Sequence, residues 1–232
     1  MKILAVETST SLGGIAILSE DNLLAVNQID SNITHSQKLM PLIQGVLEEL
    51  NLQINEFDAI AVSQGPGSFT GLRIGISVAK ALSYTINKPI IAISTLDAMV
   101  SHVFTTDKQL ICPLLDARRN EVYAALYKKT KNNSSAERKT DFMVISIEDL
   151  CKLIKSTCIF VGNGAVKYKK EIKNILGESA IFSESSDNYP LATEIARLAM
   201  RRLQNNDFDD SFTLKPYYIR KSDAQISITG KK

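Results

Sequence analysis

Two segments in the first third of the chain carry residue types suited to holding phosphate groups. Glu7-Thr8-Ser9-Thr10-Ser11 separates two predicted strands, and hydroxyl and backbone N–H groups at such a turn can bind phosphate oxygens. The loop GPGSFTG at 65–71 follows a predicted strand and precedes a helix, where a helix N-terminus can bind anions. It matches neither the Walker A nor the G-x-G-x-x-G pattern. Taken alone, a hydroxyl-rich hairpin turn and a tight turn for close helix packing are the simpler interpretations.

A third segment, Gly162-Asn163-Gly164, ends a predicted strand in the second half of the chain. Glycines at this position would let the backbone approach a nucleotide base or sugar. An ordinary strand-to-helix turn has the same sequence signature and is the simpler interpretation of these residues alone.

The histidines and cysteines indicate no metal site. His35 and His102 lie too far apart in sequence for an H-x-x-x-H pair. The cysteines form no C-x-x-C motif and have no basic or histidine neighbour that would activate a thiol, so we expect small buried apolar side chains; they are Cys112, Cys151 and Cys158. We therefore predict no metal ligands.

Acidic residues do not form an obvious catalytic pair either. Asp116 and Glu121 flank a predicted turn, but Arg118 and Arg119 lie between them. A surface ion cluster is the simpler interpretation of this group. We predict no catalytic residue from it.

Alternating strand and helix patterns position these segments. Three short apolar runs in the first thirty residues predict a β-meander, and the spacing of apolar residues from Ser36 to Leu50 predicts a helix. A strand over 58–63, a helix over 72–86 and a strand over 89–93 follow. The predicted fold class is α/β, with a mixed sheet and helices packed on it.

A second unit begins near Thr105, with a predicted strand pair over 110–115 and 122–127. The polar, basic stretch 128–141 is predicted to be a loop, for which a solvated hairpin tip is a simpler interpretation than a nucleic-acid contact. A helix over 192–203 follows. We divide the chain into a first lobe of residues 1–104 joined by a returning helix at 191–206, a second lobe at 105–190, and an extended tail at 207–232.

Composition excludes several classes of protein. The chain has 232 residues, 44% of them hydrophobic, and a net charge of +2, so its bulk charge would not hold nucleic acid. Aromatic residues make up 6% and tryptophan is absent, which argues against a stacking platform for single strands. The odd number of cysteines and the lack of a long apolar run predict a reduced, cytoplasmic protein without a leader or membrane span.

The helix over 72–86 is apolar almost all round, so it must be covered on more than one side. One side would face the sheet, and the other would face either the first helix alone or a protein partner. Residues of both helices that the first helix leaves uncovered would form an exposed apolar patch. The candidates for this patch are Met40, Leu47, Ile76, Ala79 and Tyr84.

Several motifs resemble the TsaB (YeaZ) family. They are LAVETS at 4–9, GPGSFTGLRIG at 65–75 and YIRKSDA at 218–224. The resemblance is good over the first hundred residues and looser from 105 to 191, where LLDARR at 114–119 and VGNG at 161–164 match. The glycine loop together with its Phe-Thr-Gly-Leu-Arg continuation is the most specific motif.

The resemblance implies an actin-like ASKHA (ribonuclease H-like) fold with two related lobes. It also implies a role in making N6-threonylcarbamoyladenosine next to the anticodon of tRNAs that read ANN codons. In that pathway a TsaC-type enzyme makes threonylcarbamoyl-AMP and TsaD transfers the group to tRNA. TsaB is the TsaD-like partner of TsaD, and TsaE is an ATPase acting on the pair.

Two departures from TsaD imply that this chain is not itself a catalyst. The metal-binding histidines of TsaD correspond to Thr95 and Met99 here, which are poor ligands. A glycine-rich turn of TsaD corresponds to DARR at 116–119, whose side chains replace the glycines that admit phosphate. The resemblance thus implies a partner subunit with no catalytic residue and no cofactor of its own, although a nucleotide could bind at the TsaD complex.

The resemblance also implies that the two N-terminal-lobe helices pair with equivalent helices of TsaD. The predicted interface residues are Met40, Ile43, Leu47, Leu72, Ile76, Ala79 and Tyr84. The candidate residues of a vestigial nucleotide site are Thr8, Ser9, Gly162 and Gly164. Expected partners are TsaD and TsaE, with a homodimer when the chain is alone and tRNA contacted only through the complex.

Two other functions stay open at this point. One is an actin-like ATPase or kinase that uses the candidate nucleotide site. The other is a peptidase, for which the sequence offers neither a metal pair nor a recognisable nucleophilic arrangement of serine, histidine and aspartate.

Overall fold

The structure is a computed structural model that describes residues 1–29, 35–105, 109–130, 133–183, 189 and 191–220. The strands are β1 (Lys2–Glu7), β2 (Gly13–Ser19), β3 (Asn22–Ile29), β4 (Ala59–Gly65), β5 (Ile90–Ser94), β6 (Leu110–Asp116), β7 (Glu121–Ala124), β8 (Tyr127–Thr130), β9 (Asn133–Arg138), β10 (Met143–Ser146), β11 (Cys158–Val161) and β12 (Ala180–Phe182). The α-helices are α1 (His35–Glu49), α2 (Phe69–Ile86), α3 (Thr95–Ser101), α4 (Ile147–Leu153), α5 (Asn163–Lys167), α6 (Lys169–Leu176) and α7 (Ala192–Gln204).

The first sheet has the strand order β3-β2-β1-β4-β5. Strands β1 to β3 form the predicted antiparallel meander, whereas β1, β4 and β5 are parallel, so the sheet is mixed. Residues 3–6 of β1 are all apolar, which fits a strand covered on both of its faces. Leu4 and Val6 face the core beneath α1 and α2, and Ile3 and Ala5 face the core beneath α7.

The second sheet has the order β10-β7-β6-β11-β12, and β8 pairs with β6 and β9. Helices α4, α5 and α6 cover it, and α3 packs between β6 and the first sheet. The predicted loop over 128–141 was wrong in part, because it contains β9 and most of β8. Long-range bonds fix this hairpin: the N–H of Lys139 donates to the carbonyl of Leu126 over 2.7 Å. The two residues at its tip, 131–132, lie outside the described residues.

The C-terminal segment runs back along α2 and reaches the second sheet. The N–H of Asp209 donates to the carbonyl of Ile90, and that of Tyr217 donates to the carbonyl of Gln64 over 2.8 Å. Leu214 is buried in the first core, so the tail relies on a core that other elements build. Residues 221–232 lie outside the described residues, and the lobe limits given above stay a prediction.

Two predictions from the sequence concern the burial of the cysteines and the lack of a membrane-spanning segment. All three cysteines are buried, as predicted. In the described part of the chain, no helix combines the length and apolar character that a membrane crossing requires.

Candidate functional site

The hydroxyl-rich turn and the glycine loop pack directly against each other. The Thr8 hydroxyl donates to the carbonyl of Gly71 over 2.8 Å, and the N–H of Ser68 donates to the carbonyl of Ser9 over 2.6 Å. A Cβ atom at Gly71 would overlap the carbonyl oxygen of Thr8, and one at Gly67 would overlap that of Ser9. The glycines are therefore needed for close contact between backbones.

This packing bears on the prediction that Thr8 and Ser9 belong to a vestigial nucleotide site, which stays a prediction. Both side chains are buried, with at most 1% exposed. The loop covers the turn, and the carbonyl of Gly71 accepts the hydrogen bond of the Thr8 hydroxyl, so neither hydroxyl is exposed to solvent in this conformation. The geometry supports the simpler interpretation of both segments, namely that they are turns packed closely against each other.

Gly162 and Gly164 are likewise used for packing. Gly162 has a φ of 113°, and a Cβ atom there would overlap the carbonyl oxygen of Leu114 on β6 and lie 2.5 Å from Cε of Met99. A Cβ atom at Gly164 would lie 3.0 Å from Leu114. Both glycines are buried, Gly162 in the turn between β11 and α5 and Gly164 within α5, and their assignment to a nucleotide site stays a prediction.

The two residues that the resemblance aligns with the TsaD histidines lie in the core. Thr95 and Met99 of α3 are fully buried. Met99 packs against Gly162, where a Cβ atom would lie 2.5 Å from its Cε. Across the residues that the structure describes, no group of three or more histidine, cysteine, aspartate or glutamate side chains could hold a metal ion.

Glu7 is a residue of interest that the sequence reasoning did not single out. It ends β1 with only 1% of its surface exposed, and its Oε1 accepts the N–H of Ser9. Burial raises the pKa of Glu7 to about 7, although hydrogen bonds from Ser9 and Ser63 oppose the rise. The sequence signal that could have indicated a buried carboxyl group is an acidic residue directly after an apolar strand.

Four of the seven predicted interface residues are wrong as surface residues. Ile43, Leu72, Ile76 and Ala79 are at most 4% exposed and belong to the chain's own interior. The reason is helix orientation: α1 and α2 turn these residues inward, and three of the four belong to the core that the helices form with the first sheet.

The other three predicted interface residues have exposed surface. Met40 is 45% and Tyr84 is 73% exposed, and Leu47 is half-buried. Tyr84 packs edge-on against Phe212 of the C-terminal segment, with ring centroids 6.4 Å apart. Half-buried apolar residues that the prediction omitted, Ile74 and Val78, lie on α2 as well.

The predicted ion cluster at the β6–β7 turn has partners from distant elements. Asp116 pairs with Lys167 of α5 over 2.9 Å, and Glu121 pairs with Arg220 of the C-terminal segment. Arg118 and Arg119 are exposed at the tip. Sequence spacing could not indicate these partners, because each is tens of positions away.

Comparison with known proteins places the chain in a family. A family model described as "TsaD: tRNA N6-adenosine threonylcarbamoyltransferase" matches residues 29–228. The TsaB protein of Bacillus subtilis is 30% identical over 228 residues, which are 97% of this chain and 96% of that protein. The chain belongs to the TsaB family. The Escherichia coli member is 25% identical over the full length of both chains.

Solved structures agree with this assignment. YeaZ from Pseudomonas aeruginosa is 25% identical, covers 94% of this chain and 99% of its own, and superposes with a TM-score of 0.79. The (R)-2-hydroxyglutaryl-CoA dehydratase component A of Acidaminococcus fermentans, 11% identical, has a TM-score of 0.50 over 88% of this chain and 99% of its own, a likeness of fold alone. The expected actin-like α/β fold, with two mixed sheets flanked by helices, is confirmed.

Proposed function

We propose that this chain is a non-catalytic subunit of the machinery that makes N6-threonylcarbamoyladenosine in tRNA. The observation that carries the proposal is its similarity, over nearly the full length, to proteins named for tRNA threonylcarbamoyladenosine biosynthesis. Its role would be to pair with a TsaD-type transferase in the cytoplasm. A TsaE-type ATPase would act on the pair.

The absence of catalysis by this chain is argued from side chains that occupy the relevant positions. Met99, which the resemblance to TsaD aligns with a metal-binding histidine, is a fully buried core residue, and the Thr8 hydroxyl donates a hydrogen bond to the carbonyl of Gly71. At the turn where the resemblance to TsaD implies glycines, this chain has the side chains of Asp116 and Arg118, and Asp116 is paired with Lys167. These three residues support the proposal that the chain has the TsaD-type fold without the catalytic residues of TsaD.

Pairing with a partner is argued from apolar surface on the two helices. Met40 and Tyr84 expose large apolar area on α1 and α2, and Leu47, Ile74 and Val78 add half-buried area. Surface of this kind on a globular chain favours a protein interface. The same surface would support a homodimer when the transferase is absent.

The test is size-exclusion chromatography with light scattering on this chain, a TsaD-type transferase from the same source, and their mixture. We expect a one-to-one complex that replaces any homodimer. Met40→Glu is expected to weaken the complex without unfolding the chain, because the side chain is already 45% exposed. Ile175→Glu is the matched control, since Ile175 is 47% exposed on α6 of the other lobe.

Two results would contradict the proposal. A Met40→Glu chain that binds the transferase at full strength would remove α1 from the interface. Binding of ATP and magnesium to this chain alone with a Kd tighter than about 10 μM, together with turnover, would favour an actin-like ATPase instead.

A further inference from the structure

The C-terminal segment presents an exposed phenylalanine beside the outer side of α2. Phe212 is 78% exposed, and its ring packs edge-on against the ring of Tyr84, which is itself largely in solvent. Leu214, two residues further on, is buried in the first core and anchors the segment. Removing two adjacent aromatic rings from water is favourable, so a pair of this kind on the surface is suited to a partner that covers it.

Hydrogen bonds fix the turn that carries Phe212. The N–H of Phe212 donates to Oδ1 of Asp210 over 2.9 Å, and the Thr213 hydroxyl donates to Oδ2 of the same carboxylate over 3.0 Å. The N–H of Leu214 donates to the carbonyl of Asp210 over 2.9 Å. From α2, Nζ of Lys80 donates to the carbonyl of Phe212 over 3.3 Å. The ring therefore extends from a backbone that needs little further ordering on binding.

The C-terminal segment and the two helices form one layer. Lys80 and Tyr84 contact Phe212, and nearer the start of α2 the Nε of Arg73 donates to the Tyr218 hydroxyl over 2.9 Å. The i, i+7 and i+11 spacing of these α2 residues places them on one side of the helix. Helix α1 also packs on α2, and both helices cover the same face of the first sheet. Through Tyr84, Phe212 thus continues the apolar surface that the proposed function assigns to a partner.

The fold of the transferase indicates what could cover this layer. The family model described as a threonylcarbamoyltransferase matches residues 29–228, a range that includes α1, α2 and the C-terminal segment. A TsaD-type transferase would therefore have equivalents of these three elements. Two chains of one fold can pair through the same face about an approximate twofold axis, so that equivalent elements contact each other.

We propose that Phe212 and Tyr84 form a single aromatic contact with a TsaD-type transferase. The proposal rests on the proposed function, which supplies the transferase, and it extends the interface from the two helices to the turn at 210–214. Aromatic rings presented by a fixed backbone give a large contact area at a low cost in conformational entropy, and such residues commonly dominate the binding energy of an interface.

The test measures the affinity of this chain for the transferase by isothermal titration calorimetry. Phe212→Ala is expected to weaken the complex by about tenfold or more. Its thermal unfolding should match that of the wild-type chain, because most of the ring is already in solvent. Phe104→Ala is the matched control: Phe104 is 96% exposed and follows α3, which packs with α7 on the opposite face of the first sheet. We expect this control to bind the transferase with wild-type affinity.

A double-mutant cycle tests whether the two rings act together. Because Phe212 packs on Tyr84, removal of either ring should weaken the contact that the other makes. The Tyr84→Ala/Phe212→Ala chain is therefore expected to bind more tightly than the product of the two single losses predicts. Fully multiplicative losses would mean that the rings act independently, which would overturn the single contact proposed here.

The remaining outcomes distinguish this inference from the proposed function. If Phe212→Ala binds the transferase as tightly as the wild-type chain while Met40→Glu weakens the complex, the inference is overturned and the proposed function stands. If Phe212→Ala dissociates a homodimer without changing the affinity for the transferase, the rings contact a second copy, which also overturns it. An equal loss in Phe104→Ala would overturn it as well, because the effect would not depend on position. If the wild-type chain does not bind the transferase, both proposals are overturned.

Discussion

At the scale of single residues, Glu7 shows how burial raises the pKa of a side chain. Its carboxyl group lies at the end of β1 beneath the hydroxyl-rich turn, and burial raises its pKa to about 7. The folded state therefore binds this proton more tightly than the unfolded state, where the pKa is near 4.5. The resulting contribution to the free energy of unfolding is complete below the unfolded pKa and is lost as pH rises through about 7.

We predict that Glu7→Gln flattens the pH dependence of stability between pH 5 and pH 8. Glutamine keeps an oxygen that can accept the N–H of Ser9 but cannot ionise. At about 1.4 kcal/mol per pKa unit, the wild-type chain should lose at most about 3 kcal/mol over this range on account of Glu7. Urea unfolding at several pH values measures the difference. Parallel pH profiles for the two chains would contradict the assignment.

The glycine loop gives a second prediction for single residues. Gly71→Ala should destabilise the fold by about 1–3 kcal/mol, because the added methyl group overlaps the carbonyl of Thr8. Gly45→Ala is the matched control in an open part of α1, where no atom lies within 4 Å of the new Cβ. It should raise stability by about 0.5–1 kcal/mol. Thermal unfolding compares them, and equal effects would contradict the packing role of the loop.

At the scale of elements, the C-terminal segment ties α2 to the second sheet. Tyr218 stacks on Phe69 with centroids 4.8 Å apart, and Arg73 lies 3.9 Å from the Phe69 ring while its Nε donates to the Tyr218 hydroxyl over 2.9 Å. Two residues further on, Arg220 reaches the β6–β7 hairpin. The stack therefore anchors the segment just before it crosses between the sheets.

We predict that Tyr218→Ala lowers stability by about 1–2 kcal/mol through loss of the ring stack and the arginine contact. Hydrogen exchange at the N–H of Tyr217, which is bonded to Gln64, should become faster. Tyr218→Phe is the control, because it keeps the stack and loses only the hydroxyl. Unchanged exchange in the alanine variant would show that the stack does not anchor the segment.

The elements also show what periodicity can and cannot predict. Apolar runs and helical spacing located β1 to β5, α1, α2 and α7, because these signals are local. The strands β8 and β9 were missed because their sequence is polar and their pairing depends on distant anchors such as Leu126. The inward orientation of Ile76 and Ala79 was missed because a helix that is apolar all round does not indicate which side faces the sheet.

For the candidate site, the sequence located the segments and left two interpretations of them open, of which packing turns were the simpler. Turns rich in glycine and hydroxyl groups are equally suited to phosphate and to close backbone packing. Only the contacts between Thr8 and Gly71, and between Gly162 and Met99, decide between the two. The function was predicted from the family resemblance, because the family's motifs are specific, whereas the residue types in these turns fit more than one role.

At the scale of the whole molecule, the chain has two mixed sheets flanked by helices, the fold that the YeaZ structure shares. Under the proposed function, a non-catalytic chain would contribute to the pathway through its surface. The exposed apolar residues of α1 and α2 form the surface that we propose for a protein partner.

The most direct test of this account is reconstitution of threonylcarbamoyl transfer. A TsaC-type enzyme, a TsaD-type transferase and a TsaE-type ATPase are incubated with an ANN-decoding tRNA, threonine, bicarbonate and ATP, with and without this chain. Mass spectrometry of the digested tRNA measures the modified nucleoside. The account predicts multiple turnovers only when this chain is present, and none from this chain without the transferase. Equal modification in its absence, or transfer by this chain alone, would contradict it.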